Sequence, residues 1–150
     1  MDKFNWCKKQ KNGIVLIKEN ENLAKAYFSK SQGSLETMQL AKAKDWKISA
    51  AYYSMYFAVY ALCMKVGIKS EIHSCTLQIA KTFFLEKEDA ELLEVAFRAR
   101  NDAQYYVDKD VNSKTFQEVI NSAARFVTKC KRICAALSEE RVKEIRKILN

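Results

Sequence analysis

The stretch "DWKISAAYYSMYFAVYALCMKVG", residues 45–67, is apolar around most of a helical circumference. Small residues Ala50, Ser54, Ala58 and Ala61 line part of it, so neighbouring helices can approach closely. Asp45 is placed to cap this helix and Gly67 to stop it. Upstream, the pattern predicts a helix from near Glu19 toward Lys44, interrupted or frayed at "SQGS" around Gly33. Downstream, a third helix is expected from about Ile72 to Leu85, with Leu77, Ile79, Ala80, Phe83 and Phe84 for the core, and a fourth opens at Glu88 or Asp89. A fifth runs from an N-cap at Ser113 to Leu137, with Phe116, Val119, Ile120, Ala123, Phe126, Val127, Cys130 and Cys134 at three- and four-residue steps. Ser138 caps a short basic helix. The expected fold is all-α, an up-and-down bundle of five or six helices forming one domain over residues 1–150. Its core spans 19–135, with a basic arm at 1–18, either loose or a short docked helix, and the C-terminal helix at 138–150.

The fourth helix carries the polar stretch "RARNDAQYYV", residues 98–107. At about 100° per residue, Leu92, Val95, Ala96, Ala99, Ala103, Tyr106 and Val107 fall on one arc, read as the core stripe. Arg98, Arg100, Asn101, Gln104, Phe97 and Tyr105 fall on the opposite one. Arg98 sits four residues from both Glu94 and Asp102, the spacing of an exposed charge ladder. Arg100 has Ala96 and Gln104 at those positions, hence no local acid. Its face also bears Phe97 and Tyr105, which a purely solvated surface has little reason to carry.

Composition narrows this further. There is no proline and there are three glycines, which leaves little punctuation for hairpins. The uncharged run from Ile48 to Met64 contains four tyrosines and two serines and falls short of the roughly 20 predominantly apolar residues a membrane span needs. A central buried helix is therefore expected, and no membrane association. The N-terminal 20 residues contain only a short uncharged run, Gly13 to Ile17, unlike a secretory leader, so a cytoplasmic protein with five free, mostly buried thiols is expected. Cys130 and Cys134 share a face but have no third ligand in view, so neither a metal site nor a cofactor is expected. The net charge is +8, and residues 125–150 hold eight basic side chains against three acidic ones. Such an end can attract polyanions, or simply keep a helix surface solvated.

Two stretches together, "DWKISAAYYSMYFAVYALCMKVGIKSEIHS" at 45–74 and "RNDAQYY" at 100–106, resemble the HEPN superfamily, in its small stand-alone archaeal and bacterial branch. The resemblance covers roughly residues 19–135. It implies a dimerising helical bundle and, in active branches, a metal-independent ribonuclease toxin paired with a minimal nucleotidyltransferase antitoxin. The family signature is an arginine, commonly followed by a polar residue, with a histidine four to six residues on. Arg100 and Asn101 match the first part, but Tyr105 and Tyr106 stand where the histidine belongs. An unperturbed tyrosine, with a pKa of about 10, is a poor base.

The one histidine, His73, opens the third helix and could approach the Arg100 face; otherwise its ring packs at the helix start. Arg100, His73 and Tyr105 are thus the candidates for catalysis, and Arg98, Asn101, Gln104 and Tyr106 those for nucleotide or nucleic-acid contact. The expected function is a homodimeric domain that binds RNA or nucleotide, as a ribonuclease toxin if His73 or Tyr105 serves as base. The alternative is a non-catalytic dimeric interaction module. The resemblance also implies that Tyr105 or Tyr106 could accept a nucleotide from the transferase partner.

Overall fold

The computed structural model describes residues 1–150. Seven helices follow one another: α1 (Lys3–Lys9), α2 (Glu21–Leu40), α3 (Lys44–Val66), α4 (His73–Phe83), α5 (Lys87–Tyr105), α6 (Ser113–Ala136) and α7 (Glu139–Leu149). Two two-residue strands, β1 (Val15–Leu16) and β2 (Ile68–Lys69), pair antiparallel between them. The fold is all-α, as the pattern predicts; the count reaches seven because the N-terminal arm forms a helix of its own.

The hub is α3, with 16 of its 23 residues buried, and it packs against α2, α5 and α6. Ile48, Tyr52, Met55, Ala58, Val59 and Leu62 are wholly inaccessible, and this breadth of burial is what an apolar helix requires. Gly67 ends α3 in the left-handed region (φ 83°), its N–H bonding the carbonyls of Cys63 and Met64. A side chain there would strike Arg146 and the Ile17 carbonyl. Arg146, on α7, donates through Nη1 to the carbonyls of Ile17 (2.8 Å), Val66 (2.9 Å) and Gly67 (3.1 Å). One guanidinium therefore covers the open end of α3 and ties β1 and α7 to it.

Several boundaries differ from the sequence pattern. α2 runs unbroken through Gly33, because packing on α3 outweighs the glycine's poor propensity. Asp45 lies in the first turn of α3 rather than at its cap, which is Ala43 with no side-chain bond. Asn112, not Ser113, caps α6, accepting from the N–H groups of Lys114 and Thr115. Ser138 does cap α7, accepting from Arg141 N. The expectation of five free thiols is corrected as well: Cys7 and Cys75 form a disulfide joining α1 to α4 across 68 residues of sequence, while Cys63, Cys130 and Cys134 are free. Spacing could not show this pairing, since only the docked arm brings the two sulfurs together.

Three outcomes follow for stability, each read by thermal or urea unfolding. Gly33→Ala, at an exposed helical position with open space around it, raises stability by about 0.5–1 kcal/mol. Gly67→Ala lowers it by more than 1 kcal/mol, from the left-handed backbone alone. Reduction, or Cys7→Ser, lowers it by about 4 kcal/mol, the chain-entropy value for a loop of this length.

Candidate anion site around Arg100 and His73

The site forms where α3, α4 and α5 meet. From α3, Tyr52 and Tyr56 lie four residues apart and present rings tilted 33° to each other (centroids 5.8 Å apart) toward the start of α4. His73, the first residue of α4, stacks on Tyr56 with centroids 4.2 Å apart and planes 7° from parallel. The Tyr52 hydroxyl lies 2.7 Å from His73 Nδ1. From α5, Arg100 places Nη2 3.2 Å from the same nitrogen, and Nη1 donates to Gln104 Oε1 at 3.1 Å. The guanidinium carbon stands 4.8 Å from the Tyr52 ring centroid, 5.4 Å from that of Tyr53 and 5.6 Å from that of Phe97.

These contacts fix the protonation of the imidazole. A guanidinium can only donate, so Nδ1 must hold the lone pair. Burial drives the Tyr52 hydroxyl well above its usual range, so it too is neutral and able to donate. Burial of His73, reinforced by the Arg100 charge, lowers its pKa from 6.5. The ring is therefore neutral at pH 7, with its proton on Nε2. In this arrangement His73 keeps one N–H without a partner and has its basic nitrogen occupied.

Arg100 itself is 6% exposed, takes part in none of the molecule's ion pairs, and leaves Nε buried without a partner. Cation–π contact with three rings repays part of its desolvation, at about 0.5–2 kcal/mol for a contact. It leaves the charge uncompensated. By contrast Asp89, the other buried charged side chain, is bonded to Lys129 through both oxygens. The site is thus a preformed cation with an unused N–H, flanked by the Gln104 amide, whose NH2 group is free because its oxygen is engaged by Arg100.

The structure brings together Arg100, His73 and Gln104. It separates them from Arg98, which is exposed and pairs with Glu94 at 3.5 Å. Tyr105, the last residue of α5, is 69% exposed, and Tyr106 and Val107 lie beyond the helix end, exposed rather than on the core stripe the pattern assigned them. Asn101 is half-buried and makes no side-chain hydrogen bond. Arg100 in turn is buried rather than on an outward polar arc, because α5 is covered on that side by the tyrosines of α3 and by His73. The pattern overlooked Tyr52, Tyr53 and Tyr56. Their signal was present: hydroxyls on an otherwise apolar buried helix need partners.

The depressed His73 pKa sets a pH dependence. The unfolded chain takes up a proton near pH 6.5 and the folded one only at lower pH, so stability is full above about pH 6.5 and is lost as pH falls from there through the folded-state value. Unfolding midpoints should decline between pH 7.5 and 5.5 in the native chain, and His73→Gln should flatten that slope.

A search of curated proteins returns no match. The family comparison does: the HEPN domain matches residues 22–133, most of the chain, from the start of α2 through nearly all of α6. With that span it takes in α3, α4 and α5, and so every residue of the Arg100 site; the chain belongs to the HEPN domain family.

Proposed function

We propose that this HEPN domain binds the phosphates of RNA or of a nucleotide at the Arg100–His73–Gln104 site. The observation that supports this is a buried guanidinium with no counter-anion, beside an imidazole N–H and an amide NH2 without partners. A phosphate oxygen supplies the missing charge, and accepts from Arg100, from His73 Nε2–H and from the Gln104 amide. Burial of the Arg100 guanidinium strengthens its bond to the phosphate, because the dielectric there is low. The resemblance carries with it a homodimer and a nucleotidyltransferase partner. The exposed hydroxyls of Tyr105 and Tyr106 fit the nucleotide-accepting role it implies.

A second reading, metal-independent cleavage, draws on the contact between His73 and Arg100. Cleavage needs a base to take the 2′-hydroxyl proton while the oxygen attacks phosphorus and the 5′-oxygen leaves. Nδ1 is the only unprotonated nitrogen of the neutral ring, and Tyr52 and Arg100 occupy it. Binding therefore fits the geometry better than general-base catalysis, and it also fits the place of Arg100 better than a purely polar interface would.

Arg100→Met decides between these readings, because it keeps length and packing while removing the charge. The expected result is a salt-dependent RNA gel shift weakened about ten- to a hundredfold, the scale of a charge-assisted hydrogen bond. Thermal stability should be equal to or above that of the native chain, since a buried unpaired cation has been removed. RNA incubated in a chelator should stay intact. Cleavage abolished by both Arg100→Met and His73→Gln would instead establish the enzyme. Undiminished RNA binding in Arg100→Met would leave Arg100 a structural residue and the dimeric interaction module in place.

A further inference from the structure

A cavity of about 420 Å³ opens beside the Arg100 site, between the C-terminal half of α2, the N-terminal half of α3 and the end of α5. Its walls are aromatic. Trp46 is 65% exposed, and Tyr53 and Phe57, with rings stacked 5.6 Å apart, are half-buried. Two of its lining residues belong to the cation site as well: Tyr53, over which the guanidinium sits, and Gln104, which holds that guanidinium. No carboxylate lines it.

The polar atoms of the cavity are arranged for a heterocycle. Ser49 Oγ donates to the Asp45 carbonyl (2.8 Å) and Thr37 Oγ1 to the Gly33 carbonyl (3.1 Å), so both hydroxyl protons are spent and both oxygens are left as acceptors. Gln104 is the reverse case, with its oxygen engaged and its NH2 group free to donate. A flat aromatic ligand with an amino group and a ring-nitrogen acceptor on its edge matches these groups. A ligand that also carries an anion within reach of Arg100 matches the whole.

Resting on the phosphate site above, we propose that this cavity is a nucleobase subsite. The base stacks on the exposed Trp46 and packs against the Tyr53–Phe57 pair, with its edge toward Ser49, Thr37 and Gln104, while its phosphate lies at Arg100. The ligand class is accordingly a nucleotide, free or at an unpaired position of an RNA strand, rather than a bare phosphate or a duplex backbone. Stacking accepts any base, and purines offer the larger face. An apolar side chain from a second copy of the chain would cover the same walls but would leave the three polar atoms unmatched.

The chain has two tryptophans, and Trp6 lies on α1, outside the cavity. Trp6→Phe therefore makes Trp46 the sole reporter. Titration of this variant with AMP should quench its emission, and calorimetry should show AMP binding about tenfold more tightly than ribose 5-phosphate, the scale of one base–aromatic stack. Trp46→Ala in the native chain should bring AMP down to the affinity of ribose 5-phosphate and leave the latter unchanged. Arg100→Met should bring AMP down to the affinity of adenosine. Equal affinities for AMP and ribose 5-phosphate without quenching would overturn the base subsite and leave the phosphate site standing. Failure of both ligands to bind would overturn both. Trp46 emission that responds to protein concentration and not to AMP would assign the cavity to a second copy and overturn the proposal.

Discussion

A helix buried over most of its circumference can keep a polar atom only where a partner reaches it. That constraint acts on α3, and it accounts for much of the architecture around it. The Ser54 hydroxyl turns back to the Ala51 carbonyl, the Ser54 carbonyl receives Ser31 from α2, and the Tyr60 hydroxyl accepts the N–H of Ser70 beyond β2. Tyr52, fully inaccessible, has its hydroxyl answered by His73. The bonds to Ser31, Ser70 and His73 also locate neighbouring segments, so satisfying the hub and positioning α2 and α4 are one process.

The imidazole follows from this. Tyr52 and Tyr56 hold His73 by one hydrogen bond and one stacked face, which orients the ring and determines which nitrogen keeps its proton. Arg100 then enters a space walled by rings, buried and without an acid as partner. Hydrophobic packing alone would favour an aliphatic residue there. A guanidinium there suits the phosphate proposed for it, and the aromatic cavity next to it suits the proposed base.

The parts of this arrangement differed in how far the chain announced them. α3, its stop at Gly67, the cap at Ser138 and the long α6 could be read from local signals, because a helix apolar on every side and a left-handed glycine have few alternative meanings. The pairing of "AAYYSMY" with "RNDAQYY" was also enough to indicate the family. α5 was harder. Its periodicity predicts one oily stripe and an opposed polar arc, whereas the helix is covered from two directions, which leaves Arg100 buried and Tyr106 exposed. The His73–Arg100 contact and the Cys7–Cys75 bond join segments 27 and 68 residues apart, and no local spacing encodes them.

The basic C-terminal region looked, as a row of charges, like a surface for polyanions. In the folded chain some of those charges serve the protein itself: Lys129 holds Asp89, Arg141 reaches Glu144 and the Phe83 carbonyl, and Arg146 closes the end of α3. The position of Arg146 bears on how the molecule is made. Its three acceptors are all complete by residue 67, yet the side chain that gathers them is synthesised 79 residues later. During translation the turn leading into His73 therefore stays unclamped until α7 has been made. A nascent chain stalled before that point lacks the fastening that holds the turn into His73 in place.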